Sequence, residues 1–161
     1  LIVCCDKNSS RHRFGMRHKG NFFEYEEQRN RELMRTYRRG QREQGLKGDA
    51  LYRWVVEQAS IRYWVSEEQA YRVIDKRLRG VKVDYVSPYR QMMYDEIERQ
   101  VARLDPLRPN ASIYDLVFEV VNSPAPKFFL SPESAKVLIS KIRTRFYEKR
   151  KQALKNKTYG R

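Results

Sequence analysis

The sequence has few of the residues on which most metal sites and disulfides depend. Its only two cysteines, Cys4 and Cys5, are adjacent, and adjacent cysteines are poor disulfide partners. No extracellular disulfide framework is therefore expected. His12 and His18, the only histidines, could join them in a zinc cluster, but the short spacer that normally separates paired cysteine ligands is missing. We therefore expect no metal and no other cofactor.

Signatures of catalysis are absent as well. No glycine-rich loop precedes a helix in the way that phosphate-binding NTPases require, and no acids are spaced like the metal ligands of a nuclease. Glu67 and Glu68 are neighbours on a predicted helix, so they point in different directions and make a poor acid–base pair. The sequence predicts that the protein is not an enzyme.

Long hydrophobic runs are also missing. No apolar run approaches the ~18 residues of a membrane-spanning helix, and LIVCC at the start is too short for the core of a secretory signal. We therefore expect no membrane partner and a cytoplasmic location. Hydrophobic residues make up 40% and charged residues 34% of the 161 positions. That composition is typical of a globular chain with a heavily solvated surface.

Basic residues are abundant, and their excess lies at the two ends of the chain. The net charge is +14, of which residues 1–20 carry +4 and residues 136–161 carry +9. Residues 21–135 hold nineteen basic and eighteen acidic side chains and are nearly neutral. Clustered cations favour polyanion binding, because each contact releases counterions from the polyanion. The alternative is a surface whose charge only keeps the protein in solution.

Hydrophobic periodicity and capping signals predict an all-α protein of about six helices. We expect helices over 21–43, 50–59, 67–79, from Pro88 to about Leu104, from Ser112 to Pro124, and from Pro132 to about Lys155. The predicted caps are Asp49, Ser66, Ser87, Ser112 and Ser131, and Gly80 is a predicted stop. The predicted inward side chains are Phe22, Tyr25, Leu33, Tyr37, Leu51, Trp54, Val55, Gln58, Ala70, Val73, Ile74, Leu78, Met93, Ile97, Val101, Leu116, Val117, Val120, Val121, Ala135, Leu138, Ile139, Ile142, Phe146 and Leu154.

The chain contains an internal sequence repeat. Residues 62–76 read RYWVSEEQAYRVIDK and residues 127–141 read KFFLSPESAKVLISK, with five of fifteen positions identical at an offset of 65. An offset of that size suits a duplicated three-helix module. We predict a basic arm at 1–20, trihelical modules at 21–80 and 88–161 in tandem, and a linker at 81–87.

Two short helices joined by a turn, with a third positioned by an aromatic plug, resemble the helix-turn-helix modules of DNA-binding proteins. The chain also resembles the small basic proteins of phages and mobile elements. The resemblance covers about residues 21–79 and 88–155, and it implies that the third helix of each module reads the major groove. Two features depart from it. The connection SIRYWVS is longer than the usual turn and lacks glycine, and Glu67, Glu68 and Glu133 occupy first turns, where helix capping is the favoured role.

The sequence thus predicts a DNA-binding accessory or regulatory protein of a mobile element or phage, with double-stranded DNA as its partner. The alternatives are RNA, single-stranded nucleic acid bound through interleaved Arg and Tyr as in RTYRR, and a structural or virion protein that binds other proteins. Self-association is left open. The predicted contacts are Lys136, Ser140, Lys141, Arg143, Arg145, Lys149, Arg150 and Lys151 on the last helix, Arg72, Lys76 and Arg79 on the third, and Arg11, Arg13 and Arg17 in the arm.

Overall fold

A computed structural model describes residues 19–83 and 87–159, with side chains for 25–83 and 87–156. The helices are α1 (Lys19–Glu43), α2 (Gly48–Val56), α3 (Glu67–Leu78), α4 (Pro88–Leu104), α5 (Ile113–Val121) and α6 (Pro132–Tyr159), and a 3₁₀ turn at Asp105–Leu107 follows α4. These described ranges contain six α-helices and no strand, which confirms the all-α prediction for them. Arg11, Arg13 and Arg17 lie outside the described residues, as do the cysteines and histidines, for which no metal is expected.

Local hydrogen bonds set most helix ends where the sequence places them. The Ser66 hydroxyl accepts from the backbone N–H of Gln69, and Ser112 and Asp115 form a reciprocal capping box. Gly80 ends α3 with a φ of +73°, and the N–H of Val81 donates to the Lys76 carbonyl. Asp49 is not the cap of α2, because the helix begins at Gly48 and places Asp49 in its first turn. There its carboxylate still complements the helix dipole.

The helices pack into two three-helix units that are not contiguous in sequence. In one unit, α1 and α2 pack against α6, and in the other, α3 packs against α4 and α5. The core of the α1/α2/α6 unit consists of Leu33, Tyr37, Leu51, Val55, Phe128 and Ile139. The core of the α3/α4/α5 unit includes Ala70, Val73, Ile74, Met93, Tyr94, Ile97, Val101, Leu116, Val117, Val120 and Val121.

This grouping differs from the tandem modules expected over 21–80 and 88–161. Each expected module contributes two helices to one unit and its third helix to the other unit, so α3 lies on α4 and α5 rather than on α1 and α2. The physical reason lies in the ten-residue connections at 57–66 and 122–131. A connection of that length allows the chain to cross the molecule, whereas the three- or four-residue turn of a helix-turn-helix folds the next helix back.

The two connections cross each other, and the backbone hydrogen bonds between them are paired symmetrically. Ser60 and Ala125, 65 residues apart, exchange two backbone hydrogen bonds of 2.9 Å, forming an isolated antiparallel bridge. The N–H of Tyr63 donates to the Val121 carbonyl and the N–H of Phe128 to the Val56 carbonyl, both at 3.1 Å. The donors of these two bonds are 65 residues apart, and so are the acceptors. The offset found in the sequence is therefore the relation between the two halves of the crossing.

Aromatic side chains on the crossing connections enter both cores. Tyr63 and Phe129 stack in the α3/α4/α5 unit, with ring centroids 5.9 Å apart. Phe128 is buried in the α1/α2/α6 unit, against which Trp64 also packs. Adjacent residues therefore serve opposite units: Phe128 enters one core, and Phe129, whose φ is +52°, enters the other. The predicted aromatic plug is present, and it joins the two units to each other.

The predicted inward faces are confirmed over most of the described helices, but the distal part of α6 is an exception. The side chain of Phe22 lies outside the described ones. Ala135 and Ile139 are fully buried, whereas Phe146 is 57% exposed and Leu154 is 59% exposed. The prediction that these two side chains face a core is wrong, because α6 continues beyond the body formed by α1 and α2. Leu78, at the end of α3, is likewise exposed instead of inward.

Candidate nucleic-acid interface

A groove of about 600 Å³ lies between α1 and the distal half of α6. We call it the basic groove, because six of its lining residues are cationic. They are Arg31, Arg35 and Arg38 of α1 and Arg143, Arg145 and Lys149 of α6. Among the described residues, Glu27 is the only acid that lines it. Cations from two separate helices are thus brought to one concave surface.

The three arginines of α1 share one face because their spacing follows the helical repeat. Positions 31, 35 and 38 are four and three residues apart, which places them one above the other along about 10 Å of helix. All three are exposed. Within the described part of the chain, none of them has an ion-pair partner. Like charges at this spacing repel, so the free protein gains no stability from the arrangement.

The predicted contacts on α6 divide into three groups. Arg143, Arg145 and Lys149 line the basic groove, whereas Ser140, Lys141, Arg150 and Lys151 are exposed on the same helix outside it. Lys136 is drawn towards α2, where its ammonium group lies 3.4 Å from the Asp49 carboxylate and 6.0 Å from the centroid of the Tyr52 ring. Lys136 is therefore already engaged within the protein.

The predicted contacts on α3 lie in the other unit, and two of them are neutralised there. Arg79 contacts Asp75 at 2.9 Å, and Arg72 lies 3.8 Å from Glu68. Lys76 is exposed on the same helix. Acids on the same helix therefore offset the charges of Arg72 and Arg79 locally. The α3 residues do not join the basic groove, because α3 packs on α4 and α5.

The α3–α4 pair shows how two packed helices look when their facing charges are matched. Arg77 of α3 meets Asp95 and Glu98 of α4 at 2.7 and 2.9 Å. In the basic groove, by contrast, the charged residues that α1 and α6 contribute are cations, apart from Glu27. At the offset of 65, α3 corresponds to α6, but α3 has 12 residues against 28 in α6.

Aromatic rings line the basic groove beside its cations. Tyr37 is buried and stacks on Tyr52, with ring centroids 5.7 Å apart. Burial raises the pKa of Tyr37, and Tyr52 adds to this, while the positive charge of Arg143 acts against it. The phenol therefore stays neutral at ordinary pH and forms part of the α1 wall of the basic groove. Phe146 and Tyr147 are instead exposed, at 57% and 59%.

Glu67 is occupied inside the protein and is not presented to a ligand. Its carboxylate accepts hydrogen bonds from the Tyr25 hydroxyl, the Arg62 guanidinium and the Asn122 amide, at 3.0 to 3.2 Å. It lies in the first turn of α3. This geometry agrees with the helix-capping role that the sequence favours for Glu67 over a base contact.

Sequence reasoning missed the arginines of α1. Residues 21–135 are nearly neutral as a whole, so the distribution of net charge indicates a cationic surface only at the two chain ends. Two features of the sequence could have indicated this cationic surface. They are the spacing of Arg31, Arg35 and Arg38, which puts three cations on one face of a helix, and the RTYRR motif. Comparisons of the chain with protein-family models, with curated proteins and with solved structures gave no match. None of the helices described is both long enough and apolar enough to cross a membrane.

Proposed function

We propose that this protein binds nucleic acid, with phosphates held in the basic groove between α1 and α6. The observation that carries the proposal is the convergence of six cations from two helices on one concave surface that holds a single acid among the described residues. Mutual repulsion at such a site is relieved when a polyanion binds and its counterions are released. The duplex DNA target and the accessory role in a phage or mobile element are expectations from the sequence and its resemblance, and RNA is the alternative polyanion.

Protein binding is a second candidate, favoured by one observation. The distal half of α6 exposes Phe146, Tyr147 and Leu154. Exposed apolar side chains of this kind occur where a partner protein or a second copy of the chain binds. Their neighbours in the groove are mostly cations, however, and charged residues are depleted at the core of protein interfaces. The charge of the surface therefore favours a polyanion as its partner.

The first prediction concerns salt and the groove arginines. With six cations in contact with phosphates, log affinity should fall against log salt with a slope of about −4 to −5. The double change Arg35→Gln and Arg143→Gln should weaken binding and make the slope shallower by about 1.5 to 2. Fluorescence anisotropy with a labelled oligonucleotide at several salt concentrations measures both quantities. Chemical denaturation should show no loss of stability, because the removed charges have no ion-pair partner in the described protein.

The matched control is the double change Arg72→Gln and Arg79→Gln on α3. It removes the same charge from arginines that are paired with Glu68 and Asp75. We expect binding to be nearly unchanged in this variant. Equal losses in the two double variants would show that net charge, and not the basic groove, governs binding. A wild-type affinity that does not respond to salt would exclude polyanion binding altogether.

A further inference from the structure

The exposed rings in the basic groove indicate which kind of nucleic acid it suits. Phe146 and Tyr147 lie in the groove lining between Arg145 and Lys149, and more than half of each side chain is exposed. Among the described side chains no core covers them, because this part of α6 lies beyond the packed residues of the α1/α2/α6 unit. Apolar rings surrounded by cations are matched by a partner that presents flat π-faces together with negative charge. Nucleobases on a phosphate backbone have both properties.

The arrangement of the two rings suits bases that are not paired. Their centroids are 6.2 Å apart and their planes meet at 73°. Bases stacked on these two rings would be nearly perpendicular to each other. Successive bases in a duplex are parallel and have their faces covered by neighbours, so an intact duplex cannot present bases in this way. A single strand has free base faces and a backbone that can turn between them.

The cations on both sides of the groove suit the backbone of such a strand. If bases stack on Phe146 and Tyr147, the phosphates can lie along the groove near Arg35 of α1 and Arg143 of α6.

We infer that the basic groove binds single-stranded nucleic acid, with unpaired bases stacked on Phe146 and Tyr147 and phosphates held by arginines from α1 and α6. This inference rests on the nucleic-acid binding proposed above and specifies its ligand. Stacking on the two rings is sequence-tolerant, because every base has a π-face.

The test compares three labelled probes with the full chain at fixed salt. The probes are a single-stranded oligothymidylate, a blunt duplex of the same length, and a single strand whose thymines are replaced by abasic sites. We expect anisotropy to show the tightest binding for the oligothymidylate. The abasic strand keeps its phosphates but has lost the stacking bases, so we expect it to bind at least tenfold more weakly.

A second experiment tests the two rings by substitution. Phe146→Ala and Tyr147→Ala should each weaken binding of the oligothymidylate about 5- to 100-fold, which is the range for loss of one stacked base. Tyr147→Phe keeps the ring and should retain affinity. Phe146→Leu keeps apolar surface without the π-face, so it should lose affinity nearly as Ala does. Val137→Ala, at an exposed apolar position of α6 away from the groove, is the control and should change nothing.

The outcomes separate this inference from the function on which it rests. If the duplex and the abasic strand bind as tightly as the oligothymidylate while Arg35→Gln with Arg143→Gln still weakens binding, the stacking inference is overturned and nucleic-acid binding stands. If no probe binds, both fail. If Phe146→Ala leaves oligothymidylate binding intact but changes the sedimentation coefficient of the chain, the rings serve self-association and the inference is again overturned.

Discussion

At the scale of single residues, Glu67 joins parts of the molecule that are far apart in sequence. Its carboxylate receives hydrogen bonds from Tyr25 of α1, from Arg62 of the first connection and from Asn122 just after α5. The Arg62 guanidinium also lies over the Tyr25 ring, 4.3 Å from its centroid. One half-buried charge thus links α1, the start of α3 and the end of α5. Its loss should be felt in stability and not in nucleic-acid binding.

The Glu67 contacts predict a pH-dependent stability. Burial by itself would raise the pKa of Glu67, but its backbone N–H and the side chains of Arg62, Tyr25 and Asn122 hold the pKa below its ordinary value of 4.5. A lowered folded-state pKa contributes stability above the unfolded-state pKa, and this contribution is lost as the pH falls through the folded-state pKa. Glu67→Gln should therefore cost about 1–3 kcal/mol at pH 7 and progressively less below pH ~4.5.

Urea unfolding of the wild type and of Glu67→Gln at pH 7 and at pH 3 measures this difference. Glu68→Gln is the matched control, because it removes the neighbouring charge from a residue that is exposed. The control should cost less than Glu67→Gln at pH 7. A difference between wild type and Glu67→Gln that stays constant with pH would show that the ionised carboxylate is not what stabilises the fold.

At the scale of elements, Gly40 allows α1 and α2 to approach closely. A Cβ atom at this position would lie 2.6 Å from a methyl carbon of Leu51 and 2.8 Å from two ring carbons of Trp54. The helix does not break there, since α1 continues through Gly40 to Glu43. A glycine inside a helix ordinarily weakens it, because it costs more backbone entropy than alanine. The structure shows that its missing side chain is what makes room for α2.

This contact predicts the sign of a substitution. In the interior of an exposed helix, Gly→Ala stabilises by about 1 kcal/mol. Gly40→Ala should instead destabilise by about 1–3 kcal/mol, because the new methyl group overpacks the α1–α2 contact. Thermal unfolding followed by circular dichroism gives the sign, with Arg42→Ala on the exposed side of the same turn as a near-neutral control. A raised melting temperature for Gly40→Ala would contradict the close approach.

The length of α6 is a second feature at this scale. Its first turns are packed against α1 and α2 and bury Ala135 and Ile139, while its later turns have no core to cover. A helix that is 28 residues long and packed only along its first part presents its remaining side chains on a rigid support. The basic groove exists because α1 runs alongside the beginning of this projecting part.

At the scale of the whole molecule, the exchange of third helices makes the two units interdependent. Each half of the chain supplies helices to both units, and the bridge between Ser60 and Ala125 lies where the halves cross. Neither unit can lose its third helix without disturbing the connection that fills the other core. We therefore expect one cooperative unfolding transition instead of two.

The two tryptophans allow this cooperativity to be tested. Trp54 and Trp64, the only tryptophans, both pack in the α1/α2/α6 unit. Ala70→Gln places a larger polar side chain at a fully buried site of the α3/α4/α5 unit and should cost about 3 kcal/mol. If the units unfold together, the melting temperature seen by tryptophan fluorescence should fall by about 6–12 °C. Circular dichroism should report the same midpoint.

Arg72→Gln, at an exposed position of the same helix, is the control and should leave the midpoint nearly unchanged. A tryptophan transition that stays at its wild-type temperature while the helical signal falls in two steps would show that the units are independent. The tandem interpretation of the sequence, by contrast, places Ala70 in the same module as both tryptophans and expects the tryptophan transition to shift.

The sequence by itself determined the features that depend on residues close to one another along the chain. Helix positions, the capping box at Ser112 and Asp115, the stop at Gly80 and most of the inward faces follow from interactions within four or five residues. The offset of 65 was also readable, because it compares the chain with itself. The same offset then reappears between the backbone partners of the crossing connections.

The tertiary structure was needed for everything that depends on which helices become neighbours. Helical periodicity indicates that one face of α3 and one face of α6 are buried, but it does not indicate which helices cover them. A ten-residue connection allows the next helix either to fold back on the preceding two or to cross to the other unit. The same limit hid the site. Arg35 lies in a segment of nearly zero net charge, and Phe146 fits the hydrophobic periodicity of a buried helix face. Both nevertheless line the basic groove. Packing alone places α1 beside α6 and leaves the end of α6 without a core, and these two facts bring the cations and rings together.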